Sequence, residues 1–135
     1  MLVRKARTDD AKRCLEIFRS DNGKYWEVSD FRNSVQHDDV IFLVAEENDA
    51  VIGYILGFIL PTKRSEALIH ETRVHREQRR KGIGTTLVNA SCEEAFSKGA
   101  KVVLAEIAHE HLKFYGESRK FKETNKWIEV ARRKD

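Results

Sequence analysis

The sequence predicts an α/β (α+β) fold, with one mixed central sheet of about six to seven strands and helices on both faces. Three observations predict it. Strand-period and helix-period segments interleave in the order β-α-α-β-β-β-α-β-α-β-β. One stretch, "AVIGYILGFIL" at 50–60, is almost unbroken in its apolar character, as a strand covered on both faces must be. A strand, a glycine turn and a helix then follow one another at 67–97, the opening of a parallel βαβ unit with a right-handed crossover.

Each element has its own signal. "LVRKAR" at 2–7 alternates and reads as the first strand. Thr8 offers an N-cap, and Asp9 and Asp10 fall in a first helical turn, where the helix dipole favours carboxylates. Ala11, Cys14, Leu15, Ile17 and Phe18 recur at helical spacing, carrying that helix to Ser20. The loop "DNGKYWEV" leads to a second helix, capped by Ser29, with Phe31 and Val35 on one side. "VIFLVAEE" at 40–47 is a strand, Asn48-Asp49 a hairpin turn, and 50–60 the strand it returns into. "ALIHETRV" at 67–74 is the fourth strand. The helix after "RRKGIG" sets Leu87, Val88, Cys92, Ala95 and Phe96 inward. "KVVLAEI" is a fifth strand and "HEHLKFYGES" a short helix. "KFKE" and "KWIEVAR" close the sheet around Thr124-Asn125.

No repeat or linker interrupts the 135 residues, so one domain over 1–135 is expected. Hydrophobic residues make up 41%, a globular composition. The 25 Lys and Arg nearly balance 22 Asp and Glu, and a net charge of +3 does not argue for a nucleic-acid binder. Cys14 and Cys92 both sit in helical patterns outside any CxxC pair, which suits two buried thiols in a reducing compartment. "MLVRKARTDD" has no apolar signal core, and the longest apolar run is far short of a membrane span. A cytoplasmic protein without a membrane partner is expected.

The chemistry concentrates in "RRKGIG". After a strand, glycines let an anion approach the backbone, and the first amides of the following helix point outward with the positive end of its dipole. Together these make a phosphate site. The pattern is neither GxGxxG nor a loop ending in GK[ST], so a dinucleotide fold and a P-loop are not indicated.

The longer stretch "VHREQRRKGIGTTLV" resembles the core motif of the GNAT acetyltransferase superfamily, Q/R-x-x-G-x-G/A, with Arg79, Gly82 and Gly84 at its three defined positions. "VRKARTDD", "AVIGYILGFIL" and "LKFYGESRKFKETNKWIEV" are similar to the family's first strand and cap, its strand before the motif, and its Tyr-containing helix with closing strands. The resemblance implies a single-domain GNAT-like fold with acetyl-CoA as co-substrate and no metal. It implies an N-acetyltransferase that moves acetyl to a small-molecule or protein primary amine by direct attack in a ternary complex. Val74 would meet the pantetheine through its backbone, with Thr72 and Arg73 beside it. Arg79, Arg80, Lys81, Gly82, Ile83, Gly84 and Thr85 would hold the pyrophosphate. Tyr115 takes the place of the family's acid, and His70 or Glu106 that of the base. Tyr25 and Trp26 would line the acceptor pocket. By the period of two, His70, Thr72 and Val74 share one strand face and Glu71 the other. Ala108 and Lys120 stand where the family usually has Asn and Gly, which keeps a second reading: a CoA-binding sensor or interaction module without turnover. His109 and His111 lie two apart at a helix start and do not share a helical face, so no metal is expected there. Many family members pair through sheet edges, so the resemblance allows a homodimer.

Overall fold

The computed structural model describes residues 1–60 and 65–105, and beyond them 114, 116, 121, 122, 131, 132 and 134. Eight elements follow in order: β1 (Leu2–Lys5), α1 (Ala11–Ser20), α2 (Val28–Val35), β2 (Val40–Glu47), β3 (Ala50–Ile59), β4 (Glu66–Val74), α3 (Ile83–Ser97) and β5 (Val102–Ala105). The expected order holds as far as the fifth strand. Among the described residues the sheet has five strands rather than six to seven. Most of the expected closing strand pair and of the short helix at 109–118 lies outside the described residues, and Phe121 and Lys122, which are described, are not in a strand.

The spatial order is β1-β2-β3-β4-β5. The first three pairings are antiparallel and β4–β5 is parallel, with α3 as the crossover that a parallel pair requires. Asn48 and Asp49 both take left-handed backbone, φ 52° and 63°, so the two-residue turn matches the twist of the β2–β3 hairpin.

Two bulges break the alternation. Ala45 pairs with Gly53 and Glu46 with Val51, so Ile52 is the extra residue on β3. Leu56 pairs with Glu71 and Gly57 with Ile69, so His70 is the extra residue on β4.

β3 is the covered central strand its composition predicts. Ile52 and Ile55 join the core under α3, with Leu87, Val88 and Ala95. Val51, Tyr54 and Leu56 join the core under α1 and α2, with Cys14, Ile17, Phe18 and Phe31. Helices therefore cover both faces. Phe96, expected inward, is 52% exposed. The stripe Ile83-Leu87-Val88-Ser91-Ala95 faces the sheet, and the next residue is turned about 100° away. Cys14 and Cys92 are free and belong to opposite cores, and burial pushes both thiols up. No helix among the described residues is long and apolar enough to cross a membrane.

Both expected caps move by a residue or two. The Arg7 amide donates to Asp10 Oδ2 at 2.7 Å, and the Glu27 amide to Asp30 Oδ2 at 2.7 Å. In each case a first-turn carboxylate accepts from the backbone amide of the capping residue, Arg7 or Glu27, in place of the hydroxyl caps expected of Thr8 and Ser29. Asp10 is also gripped by the Arg4 fork, at 2.8 and 3.0 Å, which locks β1 to the start of α1.

Candidate functional site

β4 and the turn after it build a cleft of ≈ 540 Å³. Thr72, Arg73, Val74, Arg79, Arg80, Gly82, Ile83, Gly84 and Thr85 all line it, so the structure brings nearly the whole expected cofactor set together. Lys81 is outside the lining: it is exposed, with Nζ on Gln78 Oε1 at 3.0 Å.

Gly82 precedes α3 with φ 77° and ψ 9°. A Cβ there would meet nothing within 4 Å, so the left-handed backbone, not crowding, favours glycine. The first α3 bond runs from Thr86 N to Gly82 O at 3.1 Å, which leaves the Ile83 and Gly84 amides directed out of the helix end. Thr72 Oγ1 is buried with no hydrogen-bond partner among the described residues. Its strand face packs toward α3, since Thr72 pairs with Ile55 of that core. Outward amides, an unpartnered hydroxyl and the apolar sides of Val74 and Phe114 suit an extended ligand with a phosphate group and an amide-bearing arm. The residues present therefore fit a CoA-type cofactor.

The bulge at His70 corrects the face assignment. His70 contacts the rings of Trp26 (5.8 Å) and Phe58 (5.7 Å), on the α1–α2 side of the sheet. Glu71 also faces that side: its Oε1 accepts from Tyr54 Oη at 2.5 Å and its Oε2 from Arg73 Nε at 3.2 Å. Thr72 and Val74 face α3. So His70 keeps company with Glu71 rather than with Thr72 and Val74, because a bulge sets two residues opposite one and turns both the same way. Burial, reinforced by Glu71, pushes the Tyr54 hydroxyl well up, so it remains a donor.

Pairing of β4 with β5 ends at Ile69↔Ala105 among the described residues. Beyond Ile69, β4 continues from His70 to Val74, with the bulge at His70 at the start of that stretch. Trp26 packs against Phe18, Phe31 and His70 and helps fix the loop between α1 and α2. Tyr25 is 82% exposed. Glu106 and Tyr115 lie outside the described residues.

Three lining residues stand outside the expected set, Gln78, Phe114 and Asp21, and the last escaped the sequence altogether. Asp21, the residue that ends α1, sets Oδ2 on Arg73 Nη1 at 2.9 Å and Oδ1 on Arg79 Nη2. Arg73 lies over the Phe18 ring, 4.7 Å from its centroid. Its guanidinium is thus held by Asp21, Glu71 and Phe18 and is not aimed at a cofactor. Asp21 carries no motif of its own; only the approach of α1's end to β4 brings it here.

The family model for the acetyltransferase (GNAT) family matches residues 11–121. The chain is similar to L-2,4-diaminobutyric acid acetyltransferase of Marinococcus halophilus, 37% identical over 51 residues, covering 38% of this chain and 30% of the relative. The enzyme of that name from Shouchella clausii (strain KSM-K16) is 31% identical over 72 residues, covering 53% of this chain and 40% of the relative. The chain thus spans less than half the length of these relatives. Among solved structures, an acetyltransferase of Trypanosoma brucei superposes with a TM-score of 0.80 at 18% identity, covering 96% of this chain and 98% of that one, which shows a shared fold.

Proposed function

The chain belongs to the acetyltransferase (GNAT) family, and from that premise we propose that it transfers acetyl from acetyl-CoA to a primary amine by direct attack in a ternary complex. The observation that carries the proposal is the cleft itself. A left-handed Gly82, outward amides at Ile83 and Gly84, and an unpartnered Thr72 hydroxyl occur along one wall.

Acetyl-CoA supplies the activated acetyl thioester. The Ile83 and Gly84 amides, with the α3 dipole behind them, would hold the pyrophosphate, and the β4 edge at Thr72–Val74 would hold the arm. Their preorganised donors need no rearrangement to meet developing charge. The acceptor would approach from the α1–α2 side, past Trp26 and Tyr25, toward the bulge at His70. His70 lies there and would take the proton from the attacking amine at an imidazole nitrogen. Glu106, the residue after β5, is the other base candidate. Tyr115 would give its phenolic proton to the departing sulfur. The relatives' names support a small aliphatic amine as the first acceptor to try, with 2,4-diaminobutyrate at the head of the panel.

The test is thiol release from acetyl-CoA across amino acids, diamines, aminoglycosides and peptide N-termini. Amine-dependent release is expected, and Tyr115→Phe should lower kcat by roughly 100-fold, the low end for loss of a general acid. Tight acetyl-CoA binding with no release for any amine would replace this reading with the non-turnover CoA module. No acetyl-CoA binding at all would overturn both.

A further inference from the structure

Asp21 is an unexpected wall for a cleft that receives an anion. Its carboxylate lines the same space as the Gly82–Gly84 turn, and like charges at short range oppose each other. Its surroundings explain what it does. The Asp21 and Gly23 amides both return to Phe18 O, at 3.2 and 2.9 Å, and Asn22 takes φ 63°, so the chain doubles back at the end of α1. That turn launches the loop carrying Tyr25 and Trp26. The Asp21 carboxylate and carbonyl then tie the turn to Arg73, at 2.9 and 3.2 Å. The second carboxylate oxygen ties it to Arg79, the first residue of the glycine turn.

The two arginines are not equivalent. Arg73 is fixed on three sides, by Asp21, Glu71 and the Phe18 ring, and its side chain is only 22% exposed. Arg79 is 45% exposed, and besides Asp21 its guanidinium has, among the described residues, only a 3.4 Å bond from Nε to Val74 O. Arg79 is therefore the member that an incoming pyrophosphate can attract away, and Asp21 competes with the pyrophosphate for it.

We infer that Asp21 is a positioning residue: it orders the acceptor loop against the cofactor turn and, by holding Arg79, weakens cofactor binding. The inference rests on reading the cleft as a CoA site. It gives the substitution Asp21→Asn two opposite signs. The amide is isosteric but uncharged. Removing the charge releases Arg79 and lifts the repulsion, so CoA should bind about three- to ten-fold tighter at low salt, the gain shrinking as salt screens it. Loosening the loop should raise the acceptor KM by a similar factor, with kcat little changed.

The test is calorimetric titration of CoA into wild type, Asp21→Asn, Arg79→Ala and the double variant, alongside acceptor KM and a melting curve for each. Tighter CoA binding in Asp21→Asn, a smaller gain when Arg79 is already Ala, and a raised acceptor KM support the inference. Unchanged or weaker CoA binding in a folded Asp21→Asn variant overturns it, as does a full gain in the Arg79→Ala background. A wild type that binds no CoA overturns the proposed function itself, which separates the two failures. Should Asp21→Asn not fold, Asp21→Glu decides. Its carboxylate keeps both arginines, so CoA affinity near wild type supports the inference, and tighter binding overturns it.

Discussion

Thr72 shows how a single side chain can be read in two currencies at once. Its hydroxyl is buried and unpartnered among the described residues, and a buried polar group without a partner costs about 1–3 kcal/mol. Thr72→Val replaces that oxygen with a methyl of nearly the same shape. The free protein should therefore become more stable by roughly 1 kcal/mol. The same change removes the hydrogen bond the hydroxyl would make to the pantetheine arm, so CoA should bind several-fold more weakly. Chemical denaturation and CoA titration check the two signs independently. A variant that loses stability and keeps its CoA affinity would show that the hydroxyl has some other partner. The glycine positions beside it were legible in the sequence, because Arg79-x-x-Gly82-x-Gly84 is a local pattern. Asp21 was not, because its role exists only once α1 and β4 have met.

At the scale of elements, β4 was legible as a strand but not as a bulged one. Alternation in "ALIHETRV" assigns His70 the face of Thr72, and the extra residue opposite Leu56 reverses that assignment. A bulge is a property of the pairing between β3 and β4, and no single-strand pattern encodes it. The corner between β1 and α1 was misread for a related reason: Thr8 is the better local cap, but Asp10 reaches both the Arg7 amide and the Arg4 fork. This corner makes a pH prediction. Burial alone would push the Asp10 carboxyl up. The hydrogen bonds from Arg4 and the Arg7 amide outweigh it and hold the group below its ordinary 3.8. A carboxylate depressed on folding contributes stability in full above the unfolded value, and that contribution is lost as pH falls through the folded one. Wild type should thus lose stability below about pH 4, and Asp10→Asn should be less stable at pH 7 with a shallower acid limb. Denaturation series from pH 7 to about pH 3 measure both limbs, and parallel curves would remove Asp10 from the account.

For the whole molecule, the near-unbroken apolar run of β3 announced a covered central strand, and the strand–turn–helix announced the parallel pair. Those two features were enough to locate the cleft, because they fix where α3 begins relative to β4. Overall charge said little, since 25 cations and 22 anions are interleaved, and the cations that matter are local to the glycine turn. This separates two global behaviours. A nucleic-acid binder would be stabilised by any polyanion in a strongly salt-dependent way. A backbone cradle discriminates by shape: it needs a pyrophosphate to meet the amides and an arm to lie along β4. At a free concentration of about 100 times its Kd, CoA should stabilise the fold by about 2.7 kcal/mol. For a domain of this size that is a rise in Tm of roughly 6–10 °C. CoA lacking its 3′-phosphate should give most of that shift, because the exposed Arg80 and Lys81 side chains are secondary to the amides. Pantetheine, with no pyrophosphate, should give little, and duplex DNA at physiological salt none. If the 3′-phosphate instead carried most of the shift, the cations of "RRK" and not the left-handed turn at Gly82 would be the anchor. The path from backbone geometry to function would then have to begin from the surface charge.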